Sequence, residues 1–367
     1  MAWYCVGILN FEAEDAAAAS YGDHYFFLEN VLLKPGTNEW LNQVHEEIFQ
    51  PEQPIIDTHH HLWDKPSPMW GRYILSDLWG DTGSGHNVVK TVFVECHSAY
   101  KESGPEHLRP VGETEYVVQV ARESANDSTR ATISGIVGHA DLTSDSHNLQ
   151  EVLAEHEAAG KGLFRGIRHA GPSDQTGTLT NAGRGYPSPY GRTDFRDGVR
   201  LLGRLGYTYD TWHFFHQNRD YLELARSAPD TIMVLDHFGT PLGVGAYANK
   251  QEEIYQKWKQ DIAEIAKCPN VVAKLGGLAM PDNGFGWDKN DRPPTSDEFA
   301  EAQKKYYLHT VECFGPDRCM VESNFPVDRL SLSYQILWNG IKKILAEFSE
   351  SERDAMFYKV AERIYRL

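Results

Sequence analysis

From residue 51 onward, short apolar runs rich in β-branched residues alternate with longer helical patterns, and this alternation restricts the fold more than any other feature of the chain. The strand candidates span residues 54–57, 90–96, 131–138, 163–168, 206–212, 231–236, 270–275 and 318–322. Amphipathic or alanine-rich helical patterns fall between them, at 113–124, 149–159, 219–227, 251–267 and 296–314. Eight strands with intervening helices predict a closed parallel barrel of the α/β class, a (β/α)8 TIM barrel over 51–367. An open doubly wound sheet would place a glycine-rich phosphate loop after an early strand, and this chain has none. A length of 367 residues suits one such barrel with an appendage, and 41% hydrophobic residues supply a sizeable core.

Residues 1–50 precede the first strand and predict an ordered N-terminal extension. They carry an aromatic patch of Tyr21, Tyr25, Phe26 and Phe27, then a helical segment in which Trp40, Val44 and Ile48 recur every fourth residue. Such surface asks for burial, either as a subunit contact or as a cap over the barrel mouth. Residues 171–193 form a loop rich in Gly, Ser, Thr and Pro after the fourth strand, placed to act as a substrate lid.

With 35 Lys and Arg against 52 Asp and Glu, the formal charge of −17 argues against nucleic acid and anionic membrane surfaces as partners. No apolar run approaches membrane-spanning length, and the N-terminus lacks the basic region of a signal peptide. Five cysteines without CxxC pairing fit a reducing, cytoplasmic setting. The expected partner is a small-molecule substrate, in a homo-oligomer or a hetero-oligomer with a paralogous subunit.

In a barrel of this class the chemistry gathers at the C-terminal ends of the strands. The first strand opens onto Asp57-Thr58-His59-His60-His61, and the period of two points His59 and His61 to one face and His60 to the other. Two imidazoles on one face beside a carboxylate are half of a metal site; the bland reading is a pair of hydrogen-bonded core histidines. Glu95 ends the second strand after three apolar residues, where a carboxylate needs a metal or a salt bridge to Arg165 or Arg168. The third strand offers His139 and Asp141, the latter read as a turn cap. The fourth carries Arg165, Arg168 and His169, suited to polarising a carbonyl or acting as ligand or base. Substrate-facing candidates are Trp63, Tyr209, Trp212, His216 and Gln217, with Lys274 on the seventh strand. His237 ends the sixth strand; Glu322 and Asn324 end the eighth, on one face if the period of two continues.

The runs IIDTHHHLWD, TVFVEC, GIVGHADL, FRGIRHA, VLDHFGTPLG, NVVAKLGGL and RCMVESNFPVD resemble the amidohydrolase superfamily, and within it the lactonase-like branch (amidohydrolase family 2) related to fuconolactonases and dicarboxylate lactonases. The resemblance runs from about residue 38 to the end. It implies a divalent metal, as one or two ions, that activates water to hydrolyse a lactone, ester or amide. By position His59, His61 and His237 match metal ligands, and His169 sits where the fourth strand supplies its polar residue; Glu95 and Glu322 are the carboxylates able to complete the set. The pattern departs on the eighth strand. Where the superfamily places an aspartate, this chain has Asn324, and an amide is no general base near neutral pH. Glu322 would then take over the proton, or Glu95 would complete a carboxylate-rich dinuclear site. Three readings stay open: a metal-dependent hydrolase with zinc, a non-haem iron or manganese oxygenase on the same barrel, and a non-catalytic subunit beside an active paralogue.

Overall fold

The computed structural model describes residues 34–67, 71–179 and 188–367. Eight parallel strands follow one another around a barrel: β1 (Ile55–His60), β2 (Val88–Val94), β3 (Thr132–Gly138), β4 (Phe164–Arg168), β5 (Thr208–Thr211), β6 (Met233–Leu235), β7 (Val271–Leu275) and β8 (Cys319–Val321). Each pairs with the next in parallel register. Just past β8 the chain returns to β1. The Asn324 amide donates to the His59 carbonyl at 2.9 Å, the His61 amide donates to the Phe325 carbonyl at 2.8 Å, and His60 bridges Phe325. That seam all but closes the barrel and puts β1 and the end of β8 side by side.

Helices between the strands cover the outside, among them Val111–Ser124, Ser146–Gly160, Asn218–Ser227, Gln251–Ile265 and Ser296–Phe314. The last of these starts from a reciprocal cap. Thr295 accepts the Glu298 amide, Glu298 accepts the Thr295 amide, and Arg292 holds the Glu298 carboxylate in place. Two further helices, Thr193–Leu205 and Tyr334–Ile344, have no counterpart in the sequence pattern above. The second is buried nearly all round, and its polar stripe of Gln335, Asn339 and Lys342 faces the Glu46 and Phe49 amides and the Gln50 carbonyl rather than solvent.

One end of the barrel is filled by the chain terminus. Val360, Ala361, Ile364 and Tyr365 pack into an apolar layer with Ile56, Val92, Val137, Val234, Val272 and Met320 from six strands. Arg366 donates to the Gly206 carbonyl and Arg363 to the Asp317 carbonyl, both just before strands begin, so the plug sits at the N-terminal ends. Full burial of each aliphatic side chain contributes about 1.5–3 kcal/mol, and the plug leaves only the opposite mouth open for chemistry.

The extension is described from residue 34. Trp40 is fully buried and its indole donates to the Asn290 carbonyl at 3.0 Å. The helix covers only Asn38–Leu41 instead of continuing to Ile48. Beyond it the backbone is claimed by barrel side chains: Gln335 accepts the Glu46 amide and Asn339 the Phe49 amide. Tertiary partners thus replace the i to i+4 ladder that the Trp40, Val44 and Ile48 spacing suggested. The Tyr21, Tyr25, Phe26 and Phe27 patch lies outside the described residues, as does 180–187 of the loop after β4. The described part of that loop is tied down, with Tyr190 buried and its hydroxyl bonded to Thr211.

Candidate functional site at the barrel mouth

β1 is buried along its whole length, so its alternation survives into the histidines. His60 turns outward to Thr91 Oγ1 at 3.0 Å and Phe93, while His59 and His61 share the inner face with Nε2 atoms 3.3 Å apart. His61 Nδ1 donates to the Val94 carbonyl at 2.8 Å, which leaves its Nε2 with the lone pair. On the other side of His59, Nδ1 lies 3.0 Å from Glu322 Oε2. His237 completes the group, with Nδ1 2.7 Å from Glu322 Oε1 and its ring centre 4.6 Å from that of His59. His59, His237 and Glu322 each bring a ligand atom within 4.8 Å of the others.

The KLGG run makes this convergence possible. A Cβ on Gly277, whose φ is +70°, would stand 2.0 Å from His237 Nδ1, and one on Gly276 would stand 2.1 Å from the Glu322 carbonyl oxygen. Any larger residue would push His237 and Glu322 out of the mouth. His237 itself has φ 52°, a left-handed conformation that costs an L residue energy, and Glu322 Oε1 holds it there by accepting the His237 amide at 3.0 Å.

Two permanent cations enter the group. Lys274, fully buried, reaches Asp236 Oδ1 at 3.0 Å, Asp210 Oδ2 at 3.1 Å and His59 Nδ1 at 3.3 Å. Arg168 donates from Nε to Glu95 Oε1 at 2.9 Å and lies 3.2 Å from His59 Nε2 through Nη1. Burial, reinforced by Lys274 and neighbouring histidines, drives His59 well below the usual imidazole range, and burial with Arg168 does the same to His61; both are neutral. Burial alone would raise Glu95, yet Arg168, His97 and His139 hold it down to about 2. Burial also pushes Asp236 up to about 6 despite Lys274.

The donor set fits a divalent metal. Glu322 Oε2 is buried and accepts no hydrogen bond although His59 Nδ1 is 3.0 Å away. The 3.3 Å between the His59 and His61 Nε2 atoms is the bite of a four-coordinate zinc, whose bonds of about 2.0–2.1 Å set neighbouring nitrogens roughly 3.3–3.4 Å apart. Glu95, Asp210, Asp236 and Glu322 are all buried against only two buried cations, Lys274 and Arg168, an excess that one divalent ion would neutralise.

Other expected residues lie elsewhere. Arg165 points away from the mouth and donates to the Gly162 and Phe164 carbonyls at 2.6 and 3.0 Å; three positions from Arg168, it sits on the opposite strand face. His169 accepts the Leu142 amide through Nδ1 at 3.1 Å, which puts the proton of the neutral ring on Nε2 and removes it as a ready ligand. Tyr209 is fully buried, with its hydroxyl on the His169 carbonyl. His216 and Gln217 brace the start of the loop after β4, bonding the Ser173 and Gly171 carbonyls at 2.7 Å each. Trp63 packs on His61 with ring centres 5.4 Å apart, and Trp212 lies against Phe214. Glu95 and Glu322 belong to two groups separated by Arg168 rather than to one dinuclear set.

β8 ends at Val321, so the period of two does not carry Glu322 and Asn324 to one face. Asn324 has φ 57° and donates its side-chain amide to Asp328 at 2.8 Å. Asp328 also accepts the Ala279 amide, and burial lifts it to about 7. Sequence reasoning missed Tyr365, whose hydroxyl donates to Asp210 beneath Lys274, and Glu113, fully buried behind the β2 exit. The run AERIYRL over residues 361–367 was a signal for the first. Nothing in the helical pattern around Glu113 marked the second.

A family model described as amidohydrolase matches residues 56–367, most of the chain. The chain belongs to the amidohydrolase family. It is 30% identical to the uncharacterized protein y4mH of Sinorhizobium fredii, over 85% of this chain and 98% of that one. It is 26% identical to the L-fucono-1,5-lactonase of Burkholderia multivorans, over 85% and 96%. Among solved structures it resembles a Burkholderia multivorans amidohydrolase crystallised with bound zinc, with a TM-score of 0.64 and 24% identity over 85% of this chain and 99% of that one. Membership of the family supports an enzyme of hydrolytic type. Among the described residues, no helix is long and apolar enough to cross a membrane.

Proposed function

We propose that this amidohydrolase is a metal-dependent hydrolase of a lactone, ester or amide of a small polar compound. The observation that carries the reading is the convergence of His59, His61, His237 and Glu322 beside an arginine whose Nη1 lies in the same group. His59 and His61 would hold the ion through their Nε2 atoms, with His237 as a further donor and Glu322 beside them on the Nδ1 side of His59. Bound there, a divalent metal supplies Lewis acidity that lowers the pKa of water toward neutrality.

The chain's own residues do the rest. Arg168, fixed by Glu95, offers Nη1 as a donor to the substrate carbonyl oxygen, on which negative charge grows as the water oxygen adds to the carbonyl carbon and from which it returns as the bond to the leaving group breaks. Glu322 Oε2, the oxygen His237 does not use, accepts the proton from the attacking water and returns it to the leaving oxygen or nitrogen. Lys274, close to both Asp236 and Glu322, favours their ionised forms, so Glu322 begins each cycle able to accept a proton. Asn324 supports this indirectly, since its amide is committed to Asp328, while Glu322 lies 3.0 Å from His59 Nδ1.

The relative named as a lactonase makes sugar lactones the first panel to try. Protein loaded with zinc is expected to turn over members of a lactone and ester panel under strictly anaerobic conditions. Turnover that appears only with oxygen, a reductant and iron or manganese would replace hydrolysis with the oxygenase reading.

A further inference from the structure

A second cluster of ligand-type side chains stands outside the group assigned to hydrolysis. Glu95, His97 and His139 each place one ligand atom within 4.8 Å of the other two, a spacing that a four-coordinate ion closes to about 3.3 Å with small side-chain rotations. The carboxylate of Glu95 is divided between two tasks. Oε1 accepts from Arg168, whereas Oε2, buried and without a hydrogen bond, lies 3.2 Å from His97 Nε2.

His139 is prepared in the way metal-ligating histidines are. Its Nδ1 lies 3.0 Å from the Arg168 carbonyl oxygen, which can only accept, so the proton is on Nδ1 and Nε2 keeps its lone pair. Behind it, His156 donates from Nε2 to the His139 carbonyl at 2.9 Å and takes Thr114 Oγ1 on Nδ1 at 2.8 Å. The backbone that carries His97 is built with similar care. His97 and Ala99 both adopt left-handed conformations, φ 61° and 52°, which L residues reach only when held. The holding group is Glu113, whose Oε1 accepts the Cys96 and Ser98 amides at 3.1 and 2.7 Å and the Ser98 hydroxyl at 3.2 Å, gripping the turn on both sides of His97. His97 is the solvent-side member, 29% exposed against 3% for Glu95, so the approach to the cluster from the mouth is open.

We propose that Glu95, His97 and His139 bind a second divalent first-row transition ion of the zinc class, with one coordination position left toward the mouth for water or an oxygen of an incoming molecule. The two sites are independent. Arg168 stands between them, with Nε on Glu95 and Nη1 on His59, and a permanent cation there leaves no carboxylate to bridge the ions.

The test is zinc stoichiometry and affinity, read by equilibrium dialysis with elemental analysis, on tag-free full-length protein stripped with a chelator. His97→Asn is the first variant, because asparagine tolerates the left-handed backbone; His139→Gln is the second, with circular dichroism confirming the fold. Wild type is expected to bind one equivalent more than either variant, or to bind that equivalent at least about 100-fold more tightly. His237→Ala is expected to keep it. Cobalt in place of zinc should give a visible absorption band that His97→Asn removes and His237→Ala does not. Equal zinc uptake and affinity in wild type, His97→Asn and His139→Gln would overturn the proposal. Loss of the same equivalent in His237→Ala would overturn the independence of the sites. Unchanged zinc uptake in His237→Ala alone would count against the inner metal and leave the mouth site standing.

Discussion

Replacing Lys274 by methionine tests how the floor of the site is held together. Its Nζ is fully buried 3.0 Å from Asp236, 3.1 Å from Asp210 and 4.0 Å from Glu322. Burial alone would lower the lysine, but Asp236, Asp210 and Glu322 hold it above its ordinary value, so the cation is permanent. Methionine fills a similar volume and leaves the carboxylates uncompensated, a loss of about 3–5 kcal/mol for one partner of a buried ion pair. For a chain of this length the entropy of unfolding corresponds to roughly 0.7–0.8 kcal/mol per degree, so the melting temperature at pH 8 is expected to fall by about 4–7 °C. The deficit should shrink at pH 5.5. Burial has already raised Asp236 to about 6, and without the lysine it rises further above its unfolded value. The folded variant then binds more protons than the unfolded chain, and its stability recovers as pH falls through that folded pKa. Adding Asp236→Asn to Lys274→Met should restore part of the loss at pH 8. Thermal melts followed by circular dichroism at both pH values decide the matter. A single variant melting within 1 °C or so of wild type at pH 8, or losing the same amount at both pH values, would refute the reasoning.

Three other outcomes are expected. Arg168→Met should lower kcat on any ester or lactone the panel identifies by at least about 100-fold, as loss of an oxyanion donor does, and unchanged kcat would remove Arg168 from the chemistry. Burial pushes Glu113 up to about 8, so it is protonated at neutral pH; Glu113→Gln keeps the accepting oxygen and should stay within about 1 kcal/mol of wild type in urea unfolding, while Glu113→Ala, which strands three donors, should lose about 3 kcal/mol. His156 and His213 are held at about 4 by burial, below the unfolded value of 6.5. The unfolded chain therefore binds protons first, and stability should fall by about 2 kcal/mol per histidine between pH 7 and pH 5, a slope that His213→Gln should reduce and that a flat profile would contradict.

The legible parts of this protein are those written in local periodicity. Alternating strand and helix patterns determine a parallel barrel because each element must bury one face, and eight of them close a ring. The spacing of His59 and His61 determines their shared face because β1 runs buried to His60 and the His61 amide, one residue on, is held by the Phe325 carbonyl. The same rule breaks at Glu322 and Asn324, where the strand has already ended and a left-handed residue turns the chain. It also fails for Trp40, Val44 and Ile48, whose helical spacing is overruled by Gln335 and Asn339 from far along the sequence.

What only the tertiary structure decided is the company each charge keeps. Glu95 and Glu322 both end apolar strands and look alike in sequence, yet Arg168 separates them into two groups. Lys274 finds Asp210 and Asp236 on neighbouring strands, and Tyr365 reaches Asp210 from the last turn of the chain. Glu113 grips the turn that carries His97 from inside a helix whose pattern shows only an ordinary polar position. Backbone preference and hydrophobic period act over a few residues and can be read directly. Coulombic and hydrogen-bond partners in a dry interior are set by distances of 3–4 Å between strands up to hundreds of positions apart, and only the closed barrel brings them within reach.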